Sequence, residues 1–286
     1  MDAVLFGQVS VNALMLGATY ALIAVGLSIV FSIMRVIQFA HGHVYMLGAY
    51  GVYHLTVTVG VNYFAALIVT ALAIGVVGIV IDRIFLRPLR GQDLPSMIVT
   101  LGLLLLIEGT ALLGFGERDK RFQSPLDDVV WLFDAVAIPE ERILILVVAV
   151  PLIIFLFLFV WLTKHGQAMR AVAQDAEAAL LQGINIHRIS GLGMFIGSAL
   201  AAAAAGLVLP IQVLTPAIGG PVVIKAFMVV ILGGLGSIPG AVLGAFAFGF
   251  IESFGITFFG GFSTLAAFTA VMLILIFRPQ GLMGRV

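Results

Sequence analysis

The sequence predicts an all-α integral membrane protein: a polytopic helical bundle with about eight or nine transmembrane segments, some broken or re-entrant. Three observations lead there. Of 286 residues, 62% are hydrophobic and only 10% are charged, against about 25% charged in soluble domains. Apolar runs near the ~20 residues that a helical span needs recur along the whole chain. No alternating ten-residue strands, the mark of a membrane barrel, are present. Backbone groups in lipid must be satisfied within the segment, so these runs read as helices. The 33 Gly and 10 Pro signal close helix packing rather than disorder.

Taken in order, the first segment covers 8–33. It follows Asp2 rather than a basic stretch and is too long for a cleavable leader, so it reads as a permanent anchor. The second, 37–58, carries Gln38, His41, His43 and His54, a heavy polar load for a lipid-facing helix. Segments 63–81 and 95–115 follow, then 143–162 and 189–209. Segment 222–236 is short, contains Lys225 and runs into Gly233 and Gly234. Segments 239–259 and 262–277 complete the set. Residues 1–286 form one transmembrane domain.

Lys and Arg placement sets the orientation. Arg35, Arg83, Arg87, Arg90, Lys164, Arg170, Arg188, Arg278 and Arg285 fall on one side if the connections 82–94 and 163–188 are cytoplasmic. The loop 116–142 is then extracytoplasmic, with four basic and seven acidic residues. Its Asp127, Asp128, Trp131, Phe133 and Asp134 suggest a short surface element, either simply solvated or docking an outside partner. Nine crossings with the N-terminus outside satisfy this placement; an even count requires a re-entrant segment.

Two fragments recur. Gly17, Ala21, Ala24, Gly26 and Leu27 share their spacing with Gly197, Ala201, Ala204, Gly206 and Leu207, at an offset of 180. Leu47-Gly48-Ala49-Tyr50 resembles Leu243-Gly244-Ala245-Phe246 at an offset of 196. Duplicated halves are common in transporters, but one symmetry does not explain both offsets.

Several classes of function are excluded. The net charge is zero and no basic excess serves a nucleic acid. There is no Cys, hence no disulfide scaffold or thiolate chemistry. His41 and His43 sit two apart and do not share a helix face, so neither a metal site nor a catalytic residue is expected. No G-x-S-x-G occurs. None of the three lysines, Lys120, Lys164 and Lys225, follows a glycine, so there is no phosphate-binding loop. An ATPase, if one is needed, belongs to another chain, and no cofactor is expected here.

Three ionisable residues lie inside apolar segments: Glu108, Lys225 and Glu252. Such residues face a bundle interior or an aqueous path and are often paired. Lys225 can pair with Glu108 or Glu252, or these groups can meet a charged solute, with Glu252 the strongest candidate. The cytoplasmic loop 164–188 holds a Gly- and Pro-free, Ala-rich stretch from Gln167 to Gln182, expected as one helix of about 24 Å. Met169, Val172, Ala176 and Leu180 form its apolar stripe; Arg170, Gln174, Asp175 and Glu177 are polar, and Gly183 is a left-handed stop. A helix that seats in a groove of a partner fits this pattern.

At these residues the sequence resembles a known family. Gln38-Phe39-Ala40-His41-Gly42-His43-Val44-Tyr45-Met46-Leu47-Gly48-Ala49-Tyr50 looks like a signature of branched-chain amino acid ABC-transporter permeases of the LivH type. So do Gly166-Gln167-Ala168-Met169-Arg170 through Asn185, Leu232-Gly233-Gly234-Leu235-Gly236-Ser237-Ile238-Pro239-Gly240-Ala241 and the ending Arg278-Pro279-Gln280-Gly281-Leu282. In that family an acidic residue often follows the His-Gly pair, where His43 stands here. The resemblance implies an importer subunit of a bacterial inner membrane, embedded in lipid. Its partners would be a second permease of LivM type, two cytoplasmic ATPases and an extracytoplasmic substrate-binding protein. It also implies that Arg170 to Gly183, with Gln174, Asp175 and Glu177, forms the ATPase-coupling helix. Gln38, His41, His43, Glu108, Lys225, Gly233, Gly234 and Glu252 are the expected translocation-pathway residues. Relatives for urea, short amides or aromatic acids share the pattern. An ion-coupled secondary carrier using Glu108 or Glu252 is the alternative from another class, and it needs no docking helix.

Overall fold

The computed structural model describes residues 3–126, 128–132 and 136–284; Asp2, Asp127, Phe133, Asp134 and Arg285 lie outside these. Helices account for nearly all of the rest. They are α1 (Ala3–Met34), α2 (His41–Tyr53), α3 (Tyr63–Ile81), α4 (Asp93–Phe115), α5 (Glu140–Leu162), α6 (Lys164–Gln174), α7 (Ala176–Leu181), α8 (Ile186–Val208), α9 (Gly219–Gly233), α10 (Ile238–Phe259) and α11 (Ser263–Phe277). Each of the nine apolar runs contains a helix. Seven helical stretches are long and apolar enough to cross a membrane, counting 238–277 as one. The chain is a multi-pass membrane protein.

The exceptions are the two runs marked as irregular by their sequence. The second helix does not start at residue 37. Residues 35–40 are non-helical, and the 13-residue α2 begins only at His41. It runs directly into a π-helical segment, His54–Thr58, so the helical run that starts at His41 comes close to the ~30 Å hydrocarbon layer. Arg35, with φ 53°, ends α1 and turns the chain back alongside it, so that His41 meets the carbonyl of Ile23 near the middle of α1. Similarly, residues 209–218 hold only two short 3-10 turns before α9 begins at Gly219.

These two short helices lie at the centre. Their N-termini cross at Gly42 and Gly219, so closely that a Cβ on Gly42 would sit 2.1 Å from the Gly219 carbonyl oxygen. Around them pack α1, α3, α8 and α10. Ser32 Oγ donates to Gly236 O at one end of the α1–α10 pair, and Ser253 Oγ to Val9 O at the other, so the two run antiparallel. The pair α3–α8 is likewise antiparallel: Tyr63 donates to Gly206 O while Gly78 abuts Met194 and Ser198.

The helices thus fall into two similar halves. In each, a long helix (α1, α8) leads through non-helical chain to a short central helix (α2, α9), then to a returning helix (α3, α10) and an outer one (α4, α11). The long helix of each half packs on the returning helix of the other. The fragments at offset 180 fall on counterparts, α1 and α8, and their glycines meet where Gly26 touches Gly197. Those at offset 196 fall on α2 and α10, which are not counterparts.

One end of the bundle carries the basic connections. Arg90 lies 3.5 Å from Asp82 and 2.9 Å from His187 Nδ1, which ties the α3–α4 turn to the start of α8. The opposite end carries an antiparallel hairpin, β1 (Val129–Leu132) and β2 (Val136–Pro139). Gln8 donates to the carbonyl of Ala137 there, and Lys120 pairs through its backbone with Leu214.

Substitution at the central crossing should be costly because carbonyl backbone has no rotamer to escape into. Gly42→Ala is expected to destabilise by at least the ~1–3 kcal/mol typical of overpacking, lowering the thermal midpoint of the detergent-solubilised protein. Gly220→Ala, with nothing within 4 Å of its Cβ position, should leave that midpoint unchanged. Fluorescence-detected size exclusion after stepwise heating reads both.

Candidate functional site

Lys225 projects from α9 and Glu252 from α10, and their charged atoms meet at 2.5 Å. Of the two partners open to Lys225, the structure selects Glu252. Tyr20, the only tyrosine of α1, completes the cluster: its hydroxyl donates to Glu252 Oε2 at 2.5 Å and accepts from Lys225 Nζ at 3.1 Å. A buried phenol needs a partner for its polar tip; Lys225 and Glu252 stand out in the sequence by their charge, whereas Tyr20 does not. The cluster lines a cavity of about 480 Å³ near the hairpin end. Its other walls mix aliphatic side chains such as Ile23, Ile145, Val208, Ile218 and Val222 with polar ones such as Asn12, Thr19, Gln212 and Ser253. Arg142 donates to Asn12 Oδ1 at its rim.

The histidines separate as their spacing requires. His41 is fully buried and donates through Nε2 to the carbonyl of Ile23 at 3.2 Å. His43, also buried, meets Glu108 Oε2 at 3.0 Å through Nε2. Glu108 is therefore partnered by a histidine 65 positions away rather than by Lys225. Its side chain stays 38% exposed at the middle of a spanning helix. Gln38, in the non-helical stretch before α2, is fully buried, and neither amide atom has a hydrogen-bond partner. Among the described residues, no group of three His, Asp or Glu is placed to hold a metal ion.

Gly233 and Gly234 close α9 at the basic end. Gly233 abuts the Gly240 backbone, and Gly234 takes φ 105° against the C-terminal tail. That tail is fastened by Leu282 N–H to Leu232 O and Met283 N–H to Gly233 O, at 2.8 and 2.9 Å. The next two residues, Leu235 and Gly236, line a second cavity of about 610 Å³ together with Arg35, Asp93, Met97 and Ala173. The two cavities thus open toward opposite ends, and the Gly42–Gly219 crossing lies between them.

The expected single helix from Gln167 to Gln182 is two helices. Asp175 is extended (φ −151°, ψ 108°), ending α6 and capping α7, where its Oδ1 accepts from the N–H groups of Glu177 and Ala178 at 2.9 and 3.0 Å. Asp competes with backbone for local hydrogen bonds, which favours caps over helix interiors. The break also re-phases the apolar stripe. Met169 and Val172 are buried, but Ala179 takes the inward place expected of Leu180. Leu180 and Leu181 are exposed by 58% and 86%. Arg170 lies over the Trp161 ring at 4.5 Å, while Gln174 and Glu177 are exposed. Gly183, at φ +80°, is the expected left-handed stop. Ile184 N–H reaches back to Ala179 O and Gly183 N–H to Leu180 O, the Schellman pattern.

Residues 9–277 match the family described as branched-chain amino acid transport system / permease component. The chain is 37% identical to the high-affinity branched-chain amino acid transport system permease protein BraD of Pseudomonas aeruginosa, over 97% of this chain and 95% of that one. It is 33% identical to LivH of Escherichia coli strain K12, a permease protein of the same description, over 98% and 96%. Among solved structures, PsaBC from Streptococcus pneumoniae in complex with Fab superposes with a TM-score of 0.53 at 13% identity, covering 94% of this chain and 91% of that one; that likeness shows the fold. The chain belongs to the branched-chain amino acid permease family.

The Asp175 cap carries a local prediction. Asp175→Ala removes the side-chain acceptor of a six-residue helix, a loss of about 1 kcal/mol. Amide exchange across 176–182 should accelerate about fivefold, with exchange in α5 and α8 unchanged.

Proposed function

Proceeding from that family membership, we propose that this chain is a transmembrane subunit of a bacterial ABC importer for branched-chain and other hydrophobic amino acids, working by alternating access. It sits in the cytoplasmic membrane with the basic end inside. A substrate-binding protein delivers solute at the hairpin end, and two ATPases dock at the other. The observation that carries this reading is the α6–α7 pair. Exposed Leu180 and Leu181 on a short, doubly capped helix form an apolar knob at the basic end, suited to a groove of a partner. Arg170, Gln174, Asp175, Glu177 and Gly183 shape and flank that knob. A carrier driven only by an ion gradient has no use for it.

The pathway residues fit the same scheme. Lys225 and Glu252 face the outward cavity, while Gln38, His41, His43 and Glu108 surround the crossing; Gly233 and Gly234 frame the inner turn. A second permease chain covers α4. A charged side chain at a span centre costs on the order of 3 kcal/mol on insertion scales, and the Glu108 side chain, though bonded to His43, stays partly exposed on α4. Gly102 and Gly109 on that helix have nothing near their Cβ positions, which permits close approach of another helix.

Two experiments test this. Leu181→Asp should insert normally yet lose most co-purifying ATPase and at least tenfold of ATP-driven leucine uptake. Uptake that survives ATP depletion and collapses with the ion gradient would replace the proposal with the secondary carrier. The chain has no native cysteine, so Gly109→Cys labelled with a photoactivatable maleimide should cross-link a second permease; adducts to lipid alone would remove that partner from α4.

A further inference from the structure

We propose that Lys225, Tyr20 and Glu252 form a zwitterion-binding subsite, in which an amino acid's carboxylate takes over Lys225 and its ammonium takes over Glu252. The proposal rests on the transport reading above and names what the outward cavity recognises. It starts from the charge arrangement. The cluster holds one positive and one negative group in contact, at 2.5 Å, on the wall of a cavity whose one further charged lining residue, Arg142, is engaged with Asn12. Lys225 keeps 26% of its side chain exposed and Glu252 only 8%, so Lys225 is the more accessible of the two.

A solute that enters such a site has to leave no charge unpaired, because an uncompensated charge in a low-dielectric interior is strongly unfavourable. A zwitterion meets that condition. It separates the internal pair and supplies each member with a replacement counter-charge, so the charge count of the cavity does not change. A simple cation can pair with Glu252 only by stranding Lys225, and a simple anion can take Lys225 only by stranding Glu252. The same cluster therefore discriminates by charge pattern without attracting either ion class. Tyr20 eases the exchange, since its hydroxyl already donates to a carboxylate and accepts from an ammonium and can do both for the incoming groups.

The remaining lining sets the other half of the selectivity. Ile23, Val222, Ile218 and Ile145 offer aliphatic contact, and about 480 Å³ lies within the ~300–1,000 Å³ of small-molecule sites. An α-amino acid with a branched aliphatic side chain presents both charges at one end and hydrocarbon at the other, matching this division.

The test uses the whole importer in proteoliposomes with its binding protein, and L-leucine, isopentylamine and 4-methylpentanoate as probes. These share one hydrocarbon skeleton and carry both charges, the positive alone and the negative alone. The wild type should take up leucine and neither analogue. The exchanged pair Lys225→Glu with Glu252→Lys keeps a salt bridge but inverts the polarity that the ligand meets. It should assemble with its ATPases and lose leucine uptake at least tenfold. The neutral pair Lys225→Met with Glu252→Gln should behave likewise. Leucine uptake within twofold of wild type in an assembled double variant would make the cluster helix–helix glue and overturn the proposal. Wild-type uptake of either singly charged analogue at a rate comparable to leucine would overturn it too. A wild-type complex that carries no zwitterion at all would defeat the transport reading itself, and the subsite with it.

Discussion

The constraint on which this architecture depends is that backbone without helical hydrogen bonding cannot face lipid. The chain interrupts its long helices twice beside the central crossing, with no helix over 35–40 and only two 3-10 turns over 209–218. Each must then be enclosed by protein, which puts α2 and α9 at the centre and commits α1, α3, α8 and α10 to surround them. Small residues follow from that enclosure. The run Ala201–Ala205 in α8 is buried throughout, and Gly48 packs on Ala202 so tightly that a Cβ would come within 2.5 Å of its Cα. The composition that looks merely apolar in sequence is thus specifically small where helices must cross and large where they face outward. Phe155, Leu158 and Trp161 of α5 are exposed, as lipid-facing residues should be.

Most helices were legible because hydrophobic length alone specifies a span. Each apolar run contains its helix, and the basic connections do gather at one end. What sequence could not fix was where a span stops being helical. Gln38 sits in a run that is continuous with α2 by hydropathy, yet it precedes the helix, since only the docking of residues 35–40 along α1 and α4 decides the start. Thr100 Oγ1 donating to Ile37 O shows that docking. The break at Asp175 was legible in principle: Asp is a poor interior residue and a strong cap, but the surrounding alanines outweighed it in a reading based on propensity.

Pair partners were the least legible part of the candidate site. Glu108, Lys225 and Glu252 stand out individually because charge is rare in such segments. Which of them meet depends on helix adjacency, and α9 packs beside α10, whereas α4 lies against α2. His43 therefore reaches Glu108 and Lys225 reaches Glu252. Tyr20 was overlooked because a lone tyrosine carries little charge information; its role exists only once two charges converge on its hydroxyl. The same reasoning explains why the internal duplication was half visible. Glycine spacing persists where both halves make the same crossing, at Gly26 and Gly197, and lapses where α2 and α10 pack on different neighbours.

The placement of α6 connects these features mechanically. Gly166 is wedged against the Phe159 and Val160 backbone, leaving no space for a Cβ, and Met169 and Val172 are buried. A force applied to α7 is thus passed to the bundle through a tightly seated α6 rather than absorbed by a free loop. Ala173 of α6 lines the inner cavity opposite Leu235 and Gly236. A rigid-body shift of the docking helices, of the kind that packed elements transmit, therefore changes the inner cavity directly. The outward cavity is reached by α1, which lines both cavities, and by α9 and α10, which carry Lys225 and Glu252 away from the inner turn; α5, packed on α6, adds Arg142 and Ile145 to its wall. Under the proposed function, ATPase closure acts directly on the inner cavity and reaches the Lys225–Glu252 cluster through these shared helices.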